Sequence, residues 1–406
     1  MKRHLIGIGG VGMSALATAL LRLGDEVTGA DRTLGTPNIK FLESLGIRVF
    51  PDDGSGIDAE TGEVIVSTAI EGDNPGLVKA KALGIPVVHR AAALARALSG
   101  YKLVAVAGTC GKSTVTAMLG HVLAECGLDP MCVNGANVVG WTGAVRFGKG
   151  EYAVAEVDES DKSLVAFSPY AAIVTNASAD HYSKEEMDSV FDDFASRCSG
   201  PVVDGRVSAA DAPEEIATSM PGRHNRCNAA LAYRMALALG CDADRAKAAL
   251  LSFAGVERRL QRVSANPAVY DDYAHNPEKI RAMWTTLAEA HPGGICVVWR
   301  PHGYAPLRKM MDALVSMFNE TMRPQDALLL LPVYDAGGTA DRSVSSRDLA
   351  SRLVGNVALV ESHDAACEWV SSRRSDYEAF ATCGARDPAL PALAKRIASF
   401  CASSRS

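Results

Sequence analysis

A glycine-rich loop between a predicted strand and a predicted helix is the segment of this sequence best suited to chemistry. It follows the apolar run 103–106, and its residues are Gly108, Thr109, Cys110, Gly111, Lys112, Ser113 and Thr114. Backbone N–H groups of such a loop and of the helix N-terminus can face phosphate oxygens. Lys112 can then reach the β- and γ-phosphates of a nucleotide, and Ser113 or Thr114 can hold Mg²⁺. The spacing is shorter than in the usual phosphate loop, so an ordinary turn is the alternative, but the preceding strand favours nucleotide binding.

Acidic and polar side chains follow two further predicted strands. The run from Glu156 to Asp161 ends the strand 152–157, and Asn176 and His181 come after the strand 171–175. Ligands of an open α/β sheet bind at the carboxyl ends of its strands, and a divalent metal needs oxygen ligands. We therefore predict that the acidic run lies beside the phosphate loop, with a solvated acidic turn as the alternative. For His181, a metal or phosphate contact and a plain surface position are equally open.

Polar groups further along the chain carry weaker signals. His224 and Asn225 open a predicted helix, with Asn228 one turn later, although an asparagine at a helix start can simply cap it. The pair Arg258-Arg259 is equally consistent with solvated side chains. The run 271–277, with the sequence DDYAHNP, ends another predicted strand and could hold a ribose or a base.

These residues must be positioned by alternating strands and helices. The first elements are strand 4–8, helix 13–23 and strands 27–30, 47–50, 64–66 and 87–88. After Ser99-Gly100 come strands 103–106, 152–157 and 171–175 and helices 113–126 and 225–239. The polar stretch 199–221 predicts a loose connector. The last elements are strands 268–271, 295–299, 327–331 and 357–360 and helices 277–290, 306–318 and 345–353. This alternation predicts an α/β protein with doubly wound sheets in three domains, residues 1–99, 100–255 and 256–406.

The composition fits a soluble globular protein and argues against several functions. The chain has 406 residues, 48% of them hydrophobic and 22% charged, and a net charge of -6 without a basic stripe, which predicts no nucleic-acid partner. Its ten cysteines form no C-x-x-C pair, so neither a zinc site nor a redox motif is expected. The apolar runs are too short to cross a membrane, and the N-terminus enters a strand without room for a signal peptide. We expect a cytoplasmic protein.

The order of these motifs resembles the Mur ligase family, most closely its alanine-adding branch, over nearly the whole chain. The segments GIGGVGMS, VSTAIEGDNP and PVVHRAAAL look like that branch's UDP-binding domain. GTCGKST, EVDESDKS, TNASADH, GRHNRCNA, ERR, DDYAHNP and WRPHGY follow in the family's order. The resemblance implies a Rossmann-like UDP-binding domain, a central P-loop ATPase-type domain, and a Rossmann-like C-terminal domain that closes over ATP.

The same resemblance implies roles for individual residues. The UDP-sugar would be held by Gly9, Gly10, Gly12, Met13, Ser14, Asp31, Ser67, Thr68 and Ala69. ATP would be held by Gly108, Thr109, Gly111, Lys112, Ser113, Thr114, His224, Asn225, Asn228, Arg259 and Asp272. Mg²⁺ would be held by Ser113, Glu156 and His181. Lys112, Glu156 and His181 would act in catalysis, together with His275 or His302 as the candidate base.

The activity that the resemblance implies is an ATP-dependent ligation in peptidoglycan precursor synthesis. A UDP-N-acetylmuramate-type carboxylate would form an acyl phosphate with ATP, and an amino acid, L-alanine first, would then accept the acyl group. The expected partners are these small molecules, with no membrane insertion and a monomer or weak homodimer. Two alternatives stay open: a family member with another acceptor, such as a peptide, and a nucleotide-binding relative that has lost ligation.

Departures from the family pattern concern mainly the acceptor. Gly303 and Pro306 stand where the alanine-adding branch has the arginines that hold the amino acid's carboxylate. Losing a guanidinium that binds through two hydrogen bonds is not a conservative change. Arg300 and Arg308 are nearby and could substitute. The remaining departures are Cys110 and Asn276, each in place of a histidine, and the segment 182–221, which is shorter than in the family.

Overall fold

Three β-sheets flanked by helices follow one another along the chain in the computed structural model, which describes residues 1–158, 163–177, 184–206, 215–335, 341–385 and 387–403. This arrangement confirms the predicted α/β fold class. The chain divides into two compact units. The first consists of residues 1–219 and 225–254 and holds the first two sheets, whereas the second consists of residues 220–224 and 255–406 and holds the third.

The first sheet is parallel, with the strand order β3-β2-β1-β4-β5. Its strands are β1 (Lys2–Ile6), β2 (Glu26–Asp31), β3 (Arg48–Pro51), β4 (Glu63–Val66) and β5 (Val87–His89), and its helices are α1 (Val11–Arg22), α2 (Pro37–Ser44), α3 (Pro75–Ala82) and α4 (Arg90–Ala97). Strands β2 and β3 were added on one side of β1 and strands β4 and β5 on the other, so the order in which strands are added reverses between β1 and β4. The carboxyl ends of these two strands therefore border the crevice in which ligands of such sheets bind.

The second sheet has the order β11-β10-β6-β9-β7-β8 and is parallel except for β8, which is antiparallel to β7. Its strands are β6 (Lys102–Ala107), β7 (Met131–Val133), β8 (Val145–Arg146), β9 (Tyr152–Glu156), β10 (Ala171–Val174) and β11 (Val202–Asp204). Its helices are α5 (Lys112–Glu125), α6 (Lys184–Ser196), α7 (Arg223–Ala238) and α8 (Ala243–Ser252). Because β6 lies between β9 and β10, the three segments that follow these strands share one edge of the sheet.

The edge strand β11 corrects the prediction that residues 199–221 form a loose connector. Its residues pair in parallel with β10, from Ala172 opposite Val202 to Val174 opposite Asp204. Backbone hydrogen bonds extend the pairing at both ends, from Ala172 to the carbonyl of Pro201 and from Gly205 to the carbonyl of Val174. The sequence pattern did not reveal this strand because only two of its three residues, Val202 and Val203, are apolar and the residues around it are polar.

One apolar core joins the first two sheets. It includes Leu16 and Leu94 from the helices of the first sheet and Val174, Phe191 and Phe194 from the second. All five side chains are at least nine-tenths buried. Shared burial of this kind explains why the first two predicted domains lie in one compact unit, since separating them would expose apolar surface to water.

The third sheet has the order β12-β13-β17-β14-β15-β16 and is parallel except for β12. Its strands are β12 (Gln261–Ala265), β13 (Ala268–Asp272), β14 (Ile295–Trp299), β15 (Ala327–Leu330), β16 (Asn356–Leu359) and β17 (Ala379–Cys383). Its helices are α9 (Pro277–Ala290), α10 (Tyr304–Thr321), α11 (Ser346–Ala350), α12 (His363–Ser372) and α13 (Leu390–Ser403). Over the described ranges of both units, no helix has the length and the apolar character that crossing a membrane would require.

Candidate active site

The phosphate loop lies between β6 and α5 and depends on two glycines. Gly108 and Gly111 have φ values of 124° and 86°, in the left-handed region that favours glycine. A Cβ atom on Gly108 would collide with the Thr175 hydroxyl, and one on Gly111 would lie 2.6 Å from Oδ1 of Asn228. The loop therefore needs glycine at both positions for its backbone angles and for its close packing.

The two residues that follow β10 hold this loop in place. The backbone N–H of Cys110 donates to Oδ1 of Asn176 at 2.9 Å, and Nδ2 of Asn176 donates back to the Cys110 carbonyl at 2.8 Å. The hydroxyl of Thr175 donates to the same carbonyl at 2.6 Å, and the N–H of Thr109 donates to the Asn176 carbonyl. Asn176 was not among the predicted ATP-binding residues. The only signal in the sequence is its position directly after the predicted strand 171–175.

Replacing Asn176 with alanine should loosen the phosphate loop. Two side-chain hydrogen bonds to Cys110 are lost, each contributing about 1 kcal/mol, so we expect the KM for ATP to rise by up to about thirtyfold. Steady-state kinetics at varied ATP would measure this, with Asn356→Ala as the control because the side-chain amide of that asparagine, on the third sheet, donates to the Tyr377 hydroxyl at 2.8 Å. An unchanged KM for ATP would show that the loop keeps its shape without Asn176.

Replacing Gly111 with alanine should weaken ATP binding through the collision with Asn228. The substitution also costs about 1 kcal/mol in backbone strain because φ is positive. Gly24→Ala is the matched control, since Gly24 has a φ of 93° but no atom within 4 Å of the added Cβ. Calorimetric titration should therefore show ATP binding weakened in Gly111→Ala and kept in Gly24→Ala. Thermal unfolding should shift further in Gly111→Ala, because the collision adds to the backbone strain that both variants share. Equal ATP affinity in the two variants would contradict this account.

The acidic end of β9 lies beside the phosphate loop, as predicted. Nζ of Lys112 is 3.9 Å from Oδ1 of Asp158, and Oε2 of Glu156 accepts a hydrogen bond from the backbone N–H of Gly135 at 2.8 Å. Glu156 is half-buried, and a carboxylate keeps further lone pairs beyond the one that accepts from Gly135. His181, which the sequence assigned to metal binding and catalysis, lies outside the described residues.

The oxygen atoms at this edge suit a small divalent cation. Ser113, the second residue of α5, is partly exposed, whereas Thr114 is 7% exposed, so Ser113 is the better placed hydroxyl. The described part of the chain contains no group of three or more His, Cys, Asp or Glu side chains that could enclose a metal. Mg²⁺ does not need one, because it typically combines one or two protein oxygens with phosphate oxygens and water.

The start of α7 contributes to the same loop. Asn228 is 9% exposed, and its side-chain amide packs against Gly111. Asn225, one turn earlier, is 2% exposed. Both asparagines belong to the first unit, whereas the exposed His224 belongs to the second. The structure therefore brings Asn228 to the phosphate loop.

The glycine turn after β1 is held by Asp31 at the end of β2. Its Oδ2 accepts a hydrogen bond from the N–H of Gly9 at 2.9 Å, and its Oδ1 accepts one from Thr33 at 3.0 Å. The N–H of Gly10 bonds to the Gly7 carbonyl, which closes the turn. Asp31 thus shapes the turn that was predicted to face the UDP group.

Other predicted residues of the UDP site divide into buried and exposed side chains. Met13 and Ser14 are 4% and 7% exposed, and the Ser14 hydroxyl donates to the carbonyl of Val11. The turn 67–69, which holds Ser67, Thr68 and Ala69, follows β4, the strand that pairs with β1. Thr68 and Ala69 are exposed beside the glycine turn, so they are accessible to a ligand. Met13 can offer mainly its backbone N–H, whereas the N–H of Ser14 already donates to the Gly10 carbonyl at 2.8 Å.

Arg90 was not predicted as a site residue. It lies between the glycine turn after β1 and the acidic end of β9. Its Nη2 is 3.3 Å from Oδ2 of Asp158, and a Cβ atom on Gly12 would lie 3.0 Å from its Nη1. Arg90 and Asp158 are far apart in the sequence, so the sequence pattern did not reveal their contact.

In the second unit, Arg258 and Asp271 form a structural pair. Nε of Arg258 is 3.0 Å from Oδ2 of Asp271, and the hydroxyl of Thr382 donates to Oδ1 at 2.6 Å. Burial raises the pKa of Asp271, and the Arg258 charge opposes this shift. Nη1 and Nη2 of Arg258 donate to the carbonyls of Ala385 and Gly384. Each nitrogen of the guanidinium therefore has a partner within the fold.

Asp272 holds the turn that carries Arg259. Its two oxygens accept hydrogen bonds from the backbone N–H groups of Leu260 and Ala274, both at 2.7 Å. The carboxyl is 7% exposed, and burial raises its pKa to about 6. The Arg259 guanidinium lies 5.8 Å from the centre of the Tyr273 ring and is partly exposed. Of the residues predicted to close over ATP, Arg259 is thus available to a ligand, and Asp272 positions it.

The two candidate bases are close together in the same unit. The rings of His275 and His302 meet edge to face, with centroids 5.0 Å apart. Nδ1 of His275 is 3.1 Å from the Tyr273 carbonyl, which can only accept, so Nδ1 carries the proton and Nε2 of the neutral ring is an acceptor. Asn276, next in the chain, caps α9 by accepting from the N–H of Lys279 at 2.9 Å.

The arginines considered as substitutes for the missing pair are already engaged. Nη1 of Arg300 is 2.6 Å from Asp387, and Nε donates to the Pro332 carbonyl. Although burial acts in the opposite direction, hydrogen bonds from His363, the Ala389 backbone and Arg300 hold the pKa of Asp387 well below its usual range.

Arg308 is likewise bound, to Asp341 at 2.8 Å and to the Ser343 hydroxyl at 2.9 Å. Gly303 is the N-cap of α10, and Pro306 lies in its first turn. A proline is tolerated there because the first N–H groups of a helix have no partner within the helix. The charge of each of these arginines is therefore already paired with a carboxylate, Arg300 with Asp387 and Arg308 with Asp341.

Comparison with known proteins identifies the family. Two family profiles match: one described as Mur ligase family, catalytic domain, over residues 2–102, and one described as Mur ligase, glutamate ligase domain, over residues 258–386. A UDP-N-acetylmuramate–L-alanine ligase of Paenarthrobacter aurescens is 34% identical over 437 residues, covering 95% of this chain and 94% of the relative. The chain belongs to the Mur ligase family.

Further relatives of this Mur ligase agree in length and architecture. The enzyme of the same name from Gloeobacter violaceus is 32% identical, covering 87% of this chain and 85% of the relative. The crystal structure of UDP-N-acetylmuramate-alanine ligase MurC from Thermotoga maritima superposes with a TM-score of 0.81 at 26% identity, covering 100% of both chains. A murein peptide ligase from Psychrobacter arcticus shares the fold, with a TM-score of 0.64 at 19% identity and coverage of 99% and 98%.

Proposed function

We propose that this Mur ligase uses ATP to join the carboxylate of UDP-N-acetylmuramate to the amine of L-alanine. The observation that carries the proposal is the phosphate loop braced by Asn176, with Lys112 beside the acidic end of β9, in a chain that matches an alanine-adding relative over 95% of its length. The donor carboxylate attacks the γ-phosphate and gives an acyl phosphate and ADP. The amine then attacks the acyl carbon, which forms the amide and releases phosphate.

The residues of the phosphate loop stabilise the charge that develops on the transferred phosphoryl group. Lys112 supplies a positive charge, and the loop N–H groups supply fixed dipoles. Asn176 and Asn228 hold the loop, so the donors need not reorganise during the reaction. Ser113 and Glu156, with His181 outside the described residues, would hold Mg²⁺, which when bound neutralises phosphate charge.

We propose that Arg259, from the second unit, takes part in shielding the reaction. Arg259 would contact the nucleotide, positioned by the Asp272 carboxylate through the N–H of Leu260. Exclusion of water is needed because an acyl phosphate is open to hydrolysis. His275 is the better candidate for accepting the amine proton, since its Nε2 is an acceptor when Nδ1 donates to the Tyr273 carbonyl.

A second acceptor class is favoured by the surroundings of α10. Gly303 and Pro306 offer no charge to an amino acid's carboxylate, and Arg300 and Arg308 are bound to Asp387 and Asp341. An acceptor whose carboxylate is distant or absent would not need that charge. We retain L-alanine as the first candidate because the relatives that cover most of this chain are named for it.

Phosphate release from ATP and UDP-N-acetylmuramate, measured against each amino acid and against short peptides, tests the proposal. Release with L-alanine alone supports the first candidate, and release with another amine alone supports the second. ATP binding without turnover for any combination would contradict a ligase function.

We propose that the protein acts in the cytoplasm. The use of ATP favours this location, and so do the ten free cysteines, because cysteines stay reduced in that compartment.

A further inference from the structure

We propose that the second unit has a separate binding site for a small phosphate monoester, in a cavity lined by Arg262 and Arg374. The cavity has a volume of about 640 Å³, which lies within the roughly 300–1,000 Å³ of typical small-molecule pockets. The residues that line it lie outside every motif assigned to the ligation reaction. The site therefore goes beyond the proposed function and does not depend on it.

The cavity lies at the amino ends of two adjacent interior strands of the third sheet. Ala268, the first residue of β13, lines the cavity and pairs with Ala379, the first residue of β17. Another wall is the segment 371–378, which runs from the end of α12 to the start of β17. Asp272 ends β13, roughly 13 Å from Ala268 at about 3.3 Å per residue. The cavity is thus at the edge of the sheet opposite to the residues proposed to contact ATP.

Arg374 has a donor that nothing in the described structure satisfies. It begins the 3₁₀ turn Arg374–Asp376, and its Nε is buried without a hydrogen-bond partner among the described residues. A buried donor without an acceptor is costly, and more so when the group is charged. Because no internal bond fixes this guanidinium, it can turn toward an anion in the cavity that it lines. Nε then gains the acceptor that it lacks.

Arg262 brings a second positive charge to the cavity. It lies on β12 opposite Tyr270 and is exposed. Over the ranges that the structure describes, neither Arg262 nor Arg374 forms an ion pair with a carboxylate. His291, which also lines the cavity, is 3.2 Å through Nε2 from the Tyr270 hydroxyl. Burial lowers the pKa of His291, and the charge of Arg262 lowers it further, so the ring is a neutral hydrogen-bonding group at pH 7.

The balance of charge in the cavity favours an anion. Glu378 is its one lining carboxylate among the described residues, and Oε2 of Glu378 accepts a hydrogen bond from the N–H of Gly293 at 2.9 Å. Two guanidinium groups therefore outnumber one carboxylate that is already hydrogen-bonded. The Ser371 hydroxyl adds a further donor to the lining.

The number of donors and the size of the cavity indicate the class of ligand. A phosphate monoester carries close to two negative charges and three acceptor oxygens, which suits two planar guanidinium groups better than a single carboxylate does. Inorganic phosphate alone would leave much of the volume empty. The side chains of Ala265 and Pro267 and the ring of Tyr377 line the remainder and suit an organic group. These features together favour a phosphorylated small molecule such as a sugar phosphate.

Calorimetric titration of the full chain with glucose 6-phosphate tests this site. The wild-type chain should bind glucose 6-phosphate but not glucose. Arg374→Met and Arg262→Met should each weaken binding at least about tenfold, the order expected for lost hydrogen bonds to a charged group. Arg374→Lys should recover part of the loss because it keeps the charge but not the planar donors. Arg352→Met is the control for a lost positive charge, since that arginine pairs with Asp312 at 2.8 Å and does not line the cavity.

Lys112→Met separates this cavity from the phosphate loop. Glucose 6-phosphate should bind to Lys112→Met, and MgATP to Arg374→Met, within about twofold of the wild-type affinities. The proposal is overturned if the wild-type chain does not bind glucose 6-phosphate, if Arg374→Met binds it unchanged, or if only Lys112→Met loses it. Gluconate binding as tight as that of glucose 6-phosphate would overturn the choice of phosphate. Ligation is measured separately by phosphate release from ATP, so these failures leave the proposed function intact. Thermal unfolding of each variant confirms that a lost affinity is not a lost fold.

Discussion

Replacing Lys112 with methionine should lower kcat about a thousandfold while the chain remains folded. The ammonium group lies in the phosphate loop, where its charge stabilises the transferred phosphoryl group most strongly in the transition state. Methionine keeps the length and apolar character of the side chain, so the packing around α5 changes little. Single-turnover phosphate release at saturating ATP would measure the chemical step directly.

Lys102→Met is the matched control for this substitution. Lys102 begins β6, the strand that leads to the same loop, and its side chain is 47% exposed and paired with Glu151. Removing a surface pair of this kind changes stability by less than about 1 kcal/mol, so turnover should stay near the wild-type value. Retention of more than about a tenth of the wild-type kcat in Lys112→Met would contradict the role assigned to this lysine.

Replacing Glu156 with glutamine should have the second largest effect, a fall in kcat of at least about a hundredfold. The amide oxygen can still accept from the N–H of Gly135, so the end of β9 keeps its geometry. What disappears is the negative charge that suits a divalent cation. Raising the Mg²⁺ concentration should therefore restore part of the activity. A titration of turnover against Mg²⁺ would report the shift in the required concentration.

Glu151→Gln controls for the loss of a carboxylate on β9. Glu151 lies just before the other end of the strand and pairs with Lys102 at 2.8 Å. Its replacement should leave both kcat and the Mg²⁺ requirement unchanged. A Glu156→Gln enzyme with the wild-type Mg²⁺ requirement would exclude this carboxylate from the metal site.

The sequence was sufficient for most of the strands of the three sheets and for the motifs at strand ends. Apolar periodicity and glycine turns are local signals, so Glu156 and Asp272 were correctly placed at strand ends and Lys112 after a strand. The central strand β17 was missed because its five residues are a short apolar run without a motif. Strand β11 was missed because its flanking residues are polar.

Contacts between distant segments could not be read from the pattern. The brace of Asn176 on the phosphate loop depends on β10 pairing with β6, and strand order is a tertiary property. The contact between Arg90 and Asp158 joins residues 68 positions apart. Asp272 was predicted from its motif to contact ATP, and the motif did not reveal its burial or its two hydrogen bonds to the backbone. The ion pair between Arg300 and Asp387 is also a contact between distant segments, and the sequence pattern did not reveal it.

Transfer of a labelled oxygen tests the central claim most directly. UDP-N-acetylmuramate with its carboxylate oxygens labelled with ¹⁸O would be incubated with ATP, Mg²⁺ and L-alanine, and the products analysed by mass spectrometry. An acyl phosphate passes one carboxylate oxygen to phosphate, so we expect one ¹⁸O in each phosphate released and one retained in the UDP-N-acetylmuramoyl-L-alanine formed. Unlabelled phosphate, or ATP hydrolysis without the amide product, would contradict activation of the donor carboxylate by this chain.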